Sequence, residues 1–352
     1  MKETKIGQDR HLPKGLAERL LPWYEENARP LPWRKNITPY RVWISEIMLQ
    51  QTRIEAARGY FMRFMAALPD IESLAAAPED QVLKLWEGLG YYSRARNLHK
   101  AAKLVMEQYN GKLPADARAL RALPGIGDYT AGAIASIAFG KQEPAVDGNV
   151  LRICTRLTVC SDSIADPKVK KEFQEALREQ YPETGCGDFT SGLMELGETV
   201  CTPGTPDCDR CPLEDLCAAR KNETQTEYPV MPEKKPRRVE NRTVFLLVHE
   251  GCVALRQRPD KGLLAGLWEF PHVEGILSEK DALKQAHEWG CVPVSAEPCG
   301  EAVHIFSHLE WHMTGWRVFC RDVPDWFVWA DETARRKTYA VPTAFRHYKK
   351  QI

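Results

Sequence analysis

Apolar residues in the first two thirds of the chain recur at helical spacing, in runs such as "PYRVWISEIMLQQTR", "PEDQVLKLWEGL" and "SRARNLHKAAKLVMEQY". Pro and Gly punctuate these runs, so the pattern from about Leu16 to Arg220 predicts an all-α region over residues 1–220. Residues 221–242, "KNETQTEYPVMPEKKPRRVENR", are polar, carry prolines and lack apolar periodicity, which predicts a linker. Beyond it the period changes. "TVFLLVHEGCVALRQR" reads as two strands around a Glu250-Gly251 turn, and "EWHMTGWRVFC" alternates at period two. With one helical stretch, "EKDALKQAHEW", residues 243–352 are expected to form a small α/β domain. The fold class is therefore multidomain, with an all-α front and an α/β rear.

Length and charge narrow this picture without naming a chemistry. A chain of 352 residues can bury two or three cores. No run of about eighteen apolar residues occurs, and the opening "MKETKIGQDRHLPKGLAERL" lacks the apolar centre of a signal peptide, so the expected compartment is the cytoplasm. Basic and acidic residues balance at 48 each, so nucleic-acid binding would have to come from local patches rather than a global field.

Eleven cysteines in a reducing compartment are poor disulfide candidates. Cys154, Cys160, Cys186, Cys252, Cys291, Cys299 and Cys320 are scattered and expected as buried apolar fillers. The other four crowd into residues 201–217, "CTPGTPDCDRCPLEDLC", as Cys201-x6-Cys208-x2-Cys211-x5-Cys217. Zinc ribbons usually set two C-x2-C knuckles well apart, whereas this loop holds one such pair. Four thiolates also suit a four-iron cluster, and the residues alone leave zinc and iron both open. Pro203, Pro206 and Pro212 would stiffen the loop before a metal arrives.

Two carboxylates stand out. In "LPGIGDYTAGAIASIAFGKQEPAVDGNVLRICTRL", Gly125 and Gly127 flank Ile126 ahead of an apolar helix, so backbone N–H groups there can face a phosphate, or the turn is simply a helical hairpin. About twenty residues on, Asp147 precedes a second helix starting near Asn149. Its helix end should hold the carboxylate ionised, and a plain N-cap is the alternative. In "VWISEIMLQQTR", Glu46, Gln50 and Arg53 fall at i, i+4 and i+7, which predicts one polar stripe on an otherwise apolar helix. Partial burial would raise the proton affinity of Glu46, and an exposed salt-bridging residue is the alternative. A raised carboxyl paired with a depressed one is how the acid and the electrostatic stabiliser of glycoside cleavage are set apart.

Together, the LPGIG hairpin near 116–140, the Asp147 that follows it, the SEIMLQQT helix and the cysteine loop resemble the helix-hairpin-helix superfamily of base-excision DNA glycosylases. Within it, the chain is similar to the branch that removes adenine mispaired with 8-oxoguanine or guanine, with a Nudix-like C-terminal domain. The resemblance implies a monofunctional, adenine-specific DNA N-glycosylase with a [4Fe-4S] cluster on Cys201, Cys208, Cys211 and Cys217. It further implies a monomer acting on double-stranded DNA, nucleoid-associated if the source is bacterial. By the same resemblance Glu46 protonates adenine, Asp147 stabilises the sugar cation, and Tyr129 and Asn149 support them. Arg29 and Arg34 line the adenine pocket; Gln50, Gln51, Thr52, Leu89 and Tyr91 wedge into the base stack; Phe306, Ser307 and His308 sense 8-oxoguanine. The basic run Arg94, Arg96, His99, Lys100 and Lys103 argues against a core tyrosine at Tyr91.

The chain departs from the branch in one place: "FTSGLMELG" has Thr190 and Ser191 where Asn and Gln or Glu are common. The C-terminal stretch "HVEGILSEKDALKQAHEWG" also lacks the paired glutamates with which Nudix hydrolases bind magnesium, so nucleotide hydrolysis is not expected. Endonuclease III-like glycosylase/lyases, the alternative within the superfamily, carry a lysine where this chain has Tyr129, and that amine is what forms a Schiff base. A non-enzymatic iron–sulfur or zinc DNA-binding protein is the alternative outside it, and would have no need of Glu46 and Asp147.

Overall fold

The computed structural model describes residues 10–233 and 236–352; the first nine residues of the opening stretch read as lacking a signal peptide, and the linker positions Lys234 and Lys235, lie outside the described residues. The chain divides into two compact units, Met1–Ala75 with Lys100–Glu233, and Ala76–His99 with Lys234–Ile352.

The first unit is helical: α1 (Leu16–Asn27), α2 (Pro39–Leu49), α3 (Ile54–Ala67), α4 (Ile71–Ala76, shared with the second unit), then, beyond α5 (Glu79–Leu85) and the start of α6 (Ser93–Tyr109), α7 (Ala117–Arg121), α8 (Asp128–Ala133), α9 (Gly148–Thr158), α10 (Pro167–Arg178), α11 (Cys186–Thr199) and α12 (Ala218–Lys221). Thr38 caps α2 by accepting from Arg41 N, and Pro39 supplies a first-turn φ. Tyr40 and every residue from Val42 to Met48 are buried. The helix stops at Leu49: Gln50 is its C-cap, Gln51 has φ 55°, and Arg53 already caps α3. The expected stripe of Glu46, Gln50 and Arg53 therefore does not form. One left-handed residue breaks the period, and a glutamine gives no sequence warning of it.

Gly125 reverses the chain between α7 and α8 with φ 78°. On α8, Gly132 permits a close approach: a Cβ there would lie 2.2 Å from the backbone oxygen of Pro144. That contact seats the stretch leading to Asp147, which caps α9. Helix α9 runs through the core with Val150, Ile153 and Cys154 packed against Phe173 of α10 and Phe189 and Leu196 of α11. Residues expected as linker continue the packing, since Arg156 Nε donates to Gln225 O (2.9 Å) and Tyr228 O (3.1 Å).

The second unit is a mixed seven-stranded sheet: β1 (Arg238–His249), β2 (Cys252–Gln257), β3 (Trp268–Glu269), β4 (His272–Glu274), then α13 (Glu279–Glu288), β5 (Val292–Ile305), β6 (Leu309–Asp322) and β7 (Val328–Ala330). The order is β3-β2-β1-β6-β5, with β4 also on β1 and β7 also on β2. Among the described residues only β1 and β6 pair parallel, from Arg238↔Leu309 to Val248↔Phe319. Strand β1 thus begins inside the stretch expected as linker. Glu250 and Gly251, with φ 46° and 79°, make the expected hairpin turn. Alternation divides β1 between two cores: Val244 and Leu246 meet Trp311 and Met313, while Phe245 and Leu247 meet Ala282 and Ala286 of α13. Segment Ala76–His99 belongs here because Lys84 donates to Tyr339 O (2.9 Å) and Val341 N donates to Glu87 Oε1 (3.2 Å). Of the cysteines expected as fillers, all are buried except half-buried Cys252.

Candidate active site

In the first unit a cavity of about 1010 Å³ is lined by Glu46 and Leu49 of α2, Tyr129 of α8, Asp147, Asn149 of α9, Arg29, Arg34, and Ser191, Met194, Glu195 and Glu198 of α11. Six carboxyl groups and three guanidiniums line it, so the cavity favours a developing cation over an anion.

Glu46 is 5% exposed. Burial pushes its carboxyl up to about 7 against the hydrogen bond from Tyr129, and the nearby Asp147 adds to the rise. The Tyr129 hydroxyl donates to Glu46 Oε2 at 2.5 Å, and burial together with the charges of Glu46 and Asp147 keeps that phenol protonated. Asp147 accepts from Val150 N (2.8 Å) and Asn149 Nδ2 (3.0 Å), so the plain N-cap is present. The expectation that the helix end would depress it is overturned. Burial is the largest influence and raises Asp147 above the usual carboxylate range despite these hydrogen bonds. The two carboxyls are both raised rather than split apart.

Arg29 and Arg34 do reach the cavity, and the structure shows what holds them. Glu195, 1% exposed, accepts from Arg29 Nε (2.5 Å) and Nη2 (3.1 Å) and from Arg34 Nη2 (2.8 Å). Burial alone would raise Glu195, but the two guanidiniums outweigh it and hold the carboxyl below its ordinary range. Sequence reasoning missed Glu195, although two arginines beside an apolar pocket call for a buried counter-charge. Ser191 lines the cavity, whereas Thr190 is buried and hydrogen-bonded to Tyr181 and Ser136, so of the two departures from the branch pattern only Ser191 faces the site.

Gly127 caps α8 and is exposed, and a Cβ there would meet nothing within 4 Å. Gln50 turns toward the hairpin, donating to Thr130 Oγ1 at 3.1 Å, while Gln51 is exposed and Thr52 half-buried.

The four clustered cysteines line one cavity of about 20 Å³ with Arg156, whose Nη1 donates to Cys201 Sγ at 3.3 Å; Gln225 Nε2 lies 3.7 Å from Cys208 Sγ. Single 3-10 turns at Cys208–Arg210 and Glu214–Leu216 carry the loop between them. An all-thiol donor set with N–H groups aimed at sulfur fits a thiolate-ligated metal centre. The four thiols share this cavity, although among the described residues no three His, Cys, Asp or Glu side chains converge as a metal group.

In the second unit, Tyr91 is 48% exposed with φ 47°, between Gly90 and a turn into α6. Its hydroxyl is 2.9 Å from Ser307 Oγ. Leu89 is buried. Ser307 and His308 are exposed at the β5–β6 turn, where Phe306 packs edge-on to Trp311 at 5.0 Å and its N–H donates to Leu309 O. A cavity of about 540 Å³ joins Leu89, Tyr91, Arg96 and residues 304–308. The basic run is not uniformly solvent-facing: Arg94 and His99 are buried, and Arg94 Nη2 donates to the carbonyls of Leu89 and Gly90 beneath Tyr91. Burial lowers Arg94 to about 10.

A helical hairpin beside a buried glutamate and a capping aspartate defines a DNA glycosylase of the helix-hairpin-helix class, and the model of the HhH-GPD superfamily base excision DNA repair protein matches residues 44–179. A NUDIX domain model matches residues 243–351. The adenine DNA glycosylase of Homo sapiens is 36% identical over 85% of this chain and 67% of its own length. That of Buchnera aphidicola subsp. Schizaphis graminum is 35% identical over 84% of this chain and 85% of its own length. Among solved structures, a thermostable thymine-DNA glycosylase is 27% identical with TM-score 0.52, covering 58% of this chain and 95% of its own. A non-covalent Endonuclease III-DNA complex is 25% identical with TM-score 0.50, covering 60% and 97%. The chain belongs to the adenine DNA glycosylase family.

Proposed function

We propose that this protein hydrolyses the N-glycosidic bond of adenine mispaired with 8-oxoguanine or guanine in double-stranded DNA, leaving an abasic site. The observation that carries the reading is the buried Glu46–Tyr129 pair beside Asp147 in an acid-lined cavity. A carboxyl near neutrality is a competent proton donor at physiological pH. Protonating a ring nitrogen turns the flipped adenine into a leaving group, and Tyr129 keeps Glu46 oriented through the transfer. Asp147, its carboxyl held by Val150 N and Asn149 Nδ2, stabilises positive charge developing at the sugar. Water completes the hydrolysis. Glu195 orients Arg29 and Arg34 on the cavity wall.

The reaction is monofunctional. No lysine is among the described residues lining the cavity, and the Tyr129 phenol is tied to Glu46, so nothing there forms a Schiff base. Cys201, Cys208, Cys211 and Cys217 would hold a [4Fe-4S] cluster, which supplies the metal–thiolate bonds that fix their loop. The protein is read as a monomer working where the DNA is, in the bacterial case a nucleoid-associated cytoplasmic enzyme; no helix among the described residues is long and apolar enough to cross a membrane.

The test incubates purified protein with duplexes carrying adenine opposite 8-oxoguanine, adenine opposite guanine, and oxidised thymine opposite adenine. Strand breaks at adenine only after alkali, with little borohydride-trapped complex, support the proposal. Cleavage at oxidised thymine with efficient trapping would replace it with the endonuclease III reading.

A further inference from the structure

We infer that Glu198 is a positioning residue for base removal: it holds the Asn149 amide with an N–H turned to Asp147. This rests on the reading of Asp147 as the group beside the sugar cation. The Asn149 amide nitrogen has two hydrogens, and each has a carboxylate acceptor, Asp147 Oδ2 and Glu198 Oε1, both at 3.0 Å. The amide oxygen accepts from Arg152 Nη2 at 2.8 Å. Charge therefore fixes the amide's orientation, with nitrogen between two carboxylates and oxygen at a guanidinium.

Helix α11 is shaped for this contact. Gly197 precedes Glu198, and a Cβ on Gly197 would lie 2.6 Å from the Asn149 Cβ, so only a bare backbone lets α9 come this near. The carbonyls of Gly197 and Cys201 seat Arg152 at 2.8 and 2.7 Å. Glu195 and Glu198 sit at i and i+3 and line the same cavity, one holding its arginines and the other its asparagine.

The location makes a bland role costly. Glu198 is exposed in a cavity that has to accept a phosphodiester-linked nucleotide, and a carboxylate facing phosphate opposes DNA binding. A side chain that only decorated the surface would weaken the complex and return nothing. Holding Asn149 gives the reaction a fixed donor at Asp147, in a site where burial pushes that carboxyl toward its neutral, useless form. Removal should therefore separate binding from chemistry.

The experiment measures single-turnover excision from an adenine:8-oxoguanine duplex. It also measures affinity for the same duplex with a 2′-fluoro adenosine that resists cleavage, for wild type, Glu198→Ala and Glu198→Gln. Glu198→Ala should excise ~10-fold more slowly, the scale of one lost hydrogen bond, while binding the uncleavable duplex as tightly as wild type or tighter. Glu198→Gln keeps the acceptor without the charge and should recover most of the rate. An alanine variant at wild-type rate, or a glutamine variant as slow as alanine, overturns the inference. So does slower excision accompanied by equally weakened binding. A wild type inactive on adenine opposite 8-oxoguanine would instead overturn the functional proposal itself.

Discussion

On the proposed mechanism, Glu46 would tie stability to activity through one proton. Its folded-state affinity lies well above that of a free carboxyl, so its favourable contribution is complete at acid pH and is lost as pH rises through about 7. Excision should fall over the same range, because the acid form is the donor. Glu46→Gln should bring excision near background while mismatch binding survives. It should also unfold at higher temperature than wild type at pH 9 and lose that advantage by pH 4, with a difference on the order of 3 kcal/mol at the alkaline end. Thermal melts across pH check the sign; equal melting temperatures at pH 9 would show that Glu46 is not proton-bearing at neutrality. At this scale the sequence exposed Glu46 and Asp147 because each sits in a motif with a chemical reason for its residue type. Glu195 and Glu198 stayed hidden, since their role is set by which face of α11 meets Arg29, Arg34 and Asn149, and those partners lie roughly fifty to a hundred and seventy residues away in sequence. Nothing local in "MELGETV" marks that face. Asp147 shows the converse: its place ahead of a helix is legible in the sequence, and its depth of burial is not.

Between elements, the geometry of the pocket depends on where two backbones touch. Helix α8 and the stretch before Asp147 meet at Gly132, where a Cβ would sit 2.2 Å from Pro144 O and 2.7 Å from its carbonyl carbon. Backbone atoms in a packed interior cannot step aside cheaply, so Gly132→Ala should cost ~2 kcal/mol or more. Because the displaced segment carries Asp147, the rate should fall further than the loss of folded protein explains. Circular dichroism melts and active-site titration together separate the two. The cysteine loop makes a different demand. It has few apolar side chains to bury and its sulfurs line a cavity without meeting, so its order should depend on metal. Cys208→Ala should lose iron and acid-labile sulfide, about four of each per chain in wild type, along with duplex affinity; stoichiometric zinc in protein matured with ample iron would sink that assignment. Helix α6 was legible to the residue, since "SRARNLHKAAKLVMEQY" is all one period, whereas the end of α2 was not. "QQTR" continues a helical face as readily as it leaves one, and the break depends on a left-handed Gln51 that composition cannot announce.

Across the whole molecule, the change from period 3.6 to period 2 marked the passage from helices to sheet, but composition misjudged what lies between. Arg156, fully buried in α9, needs carbonyl partners and takes them from Gln225 and Tyr228, so the polar stretch after α12 is packed rather than free. Arg238 to Arg242 join β1 because their backbone groups pair with β6. More consequential is Ala76–His99, which sequence order places in the middle of the helices and the structure clusters with the sheet. Tyr91 and Ser307, 216 positions apart, are thereby hydroxyl to hydroxyl at 2.9 Å. An enzyme that removes a normal base has to learn from the opposite strand which adenine is mispaired, because contacts to adenine alone are the same at every adenine. On the proposed function, the unit containing both exposed Tyr91 and the exposed Ser307-His308 turn is where such a reading would be made, and the Tyr91–Ser307 bond would couple the two. Ser307→Ala with His308→Ala should leave excision opposite guanine nearly unchanged and lower the preference for 8-oxoguanine over guanine by about tenfold, since one or two hydrogen bonds contribute ~1–3 kcal/mol. Tyr91→Phe keeps the stacking ring and removes only the hydroxyl, so it should cost less than Tyr91→Ala on both duplexes and shift the preference in the same direction as the Ser307 change. Single-turnover rates on the two duplexes decide it. If Tyr91→Phe and the double variant lose discrimination additively when combined, wedge and sensor act independently; a combined loss no greater than the larger single one shows that the hydroxyl pair works as one reader.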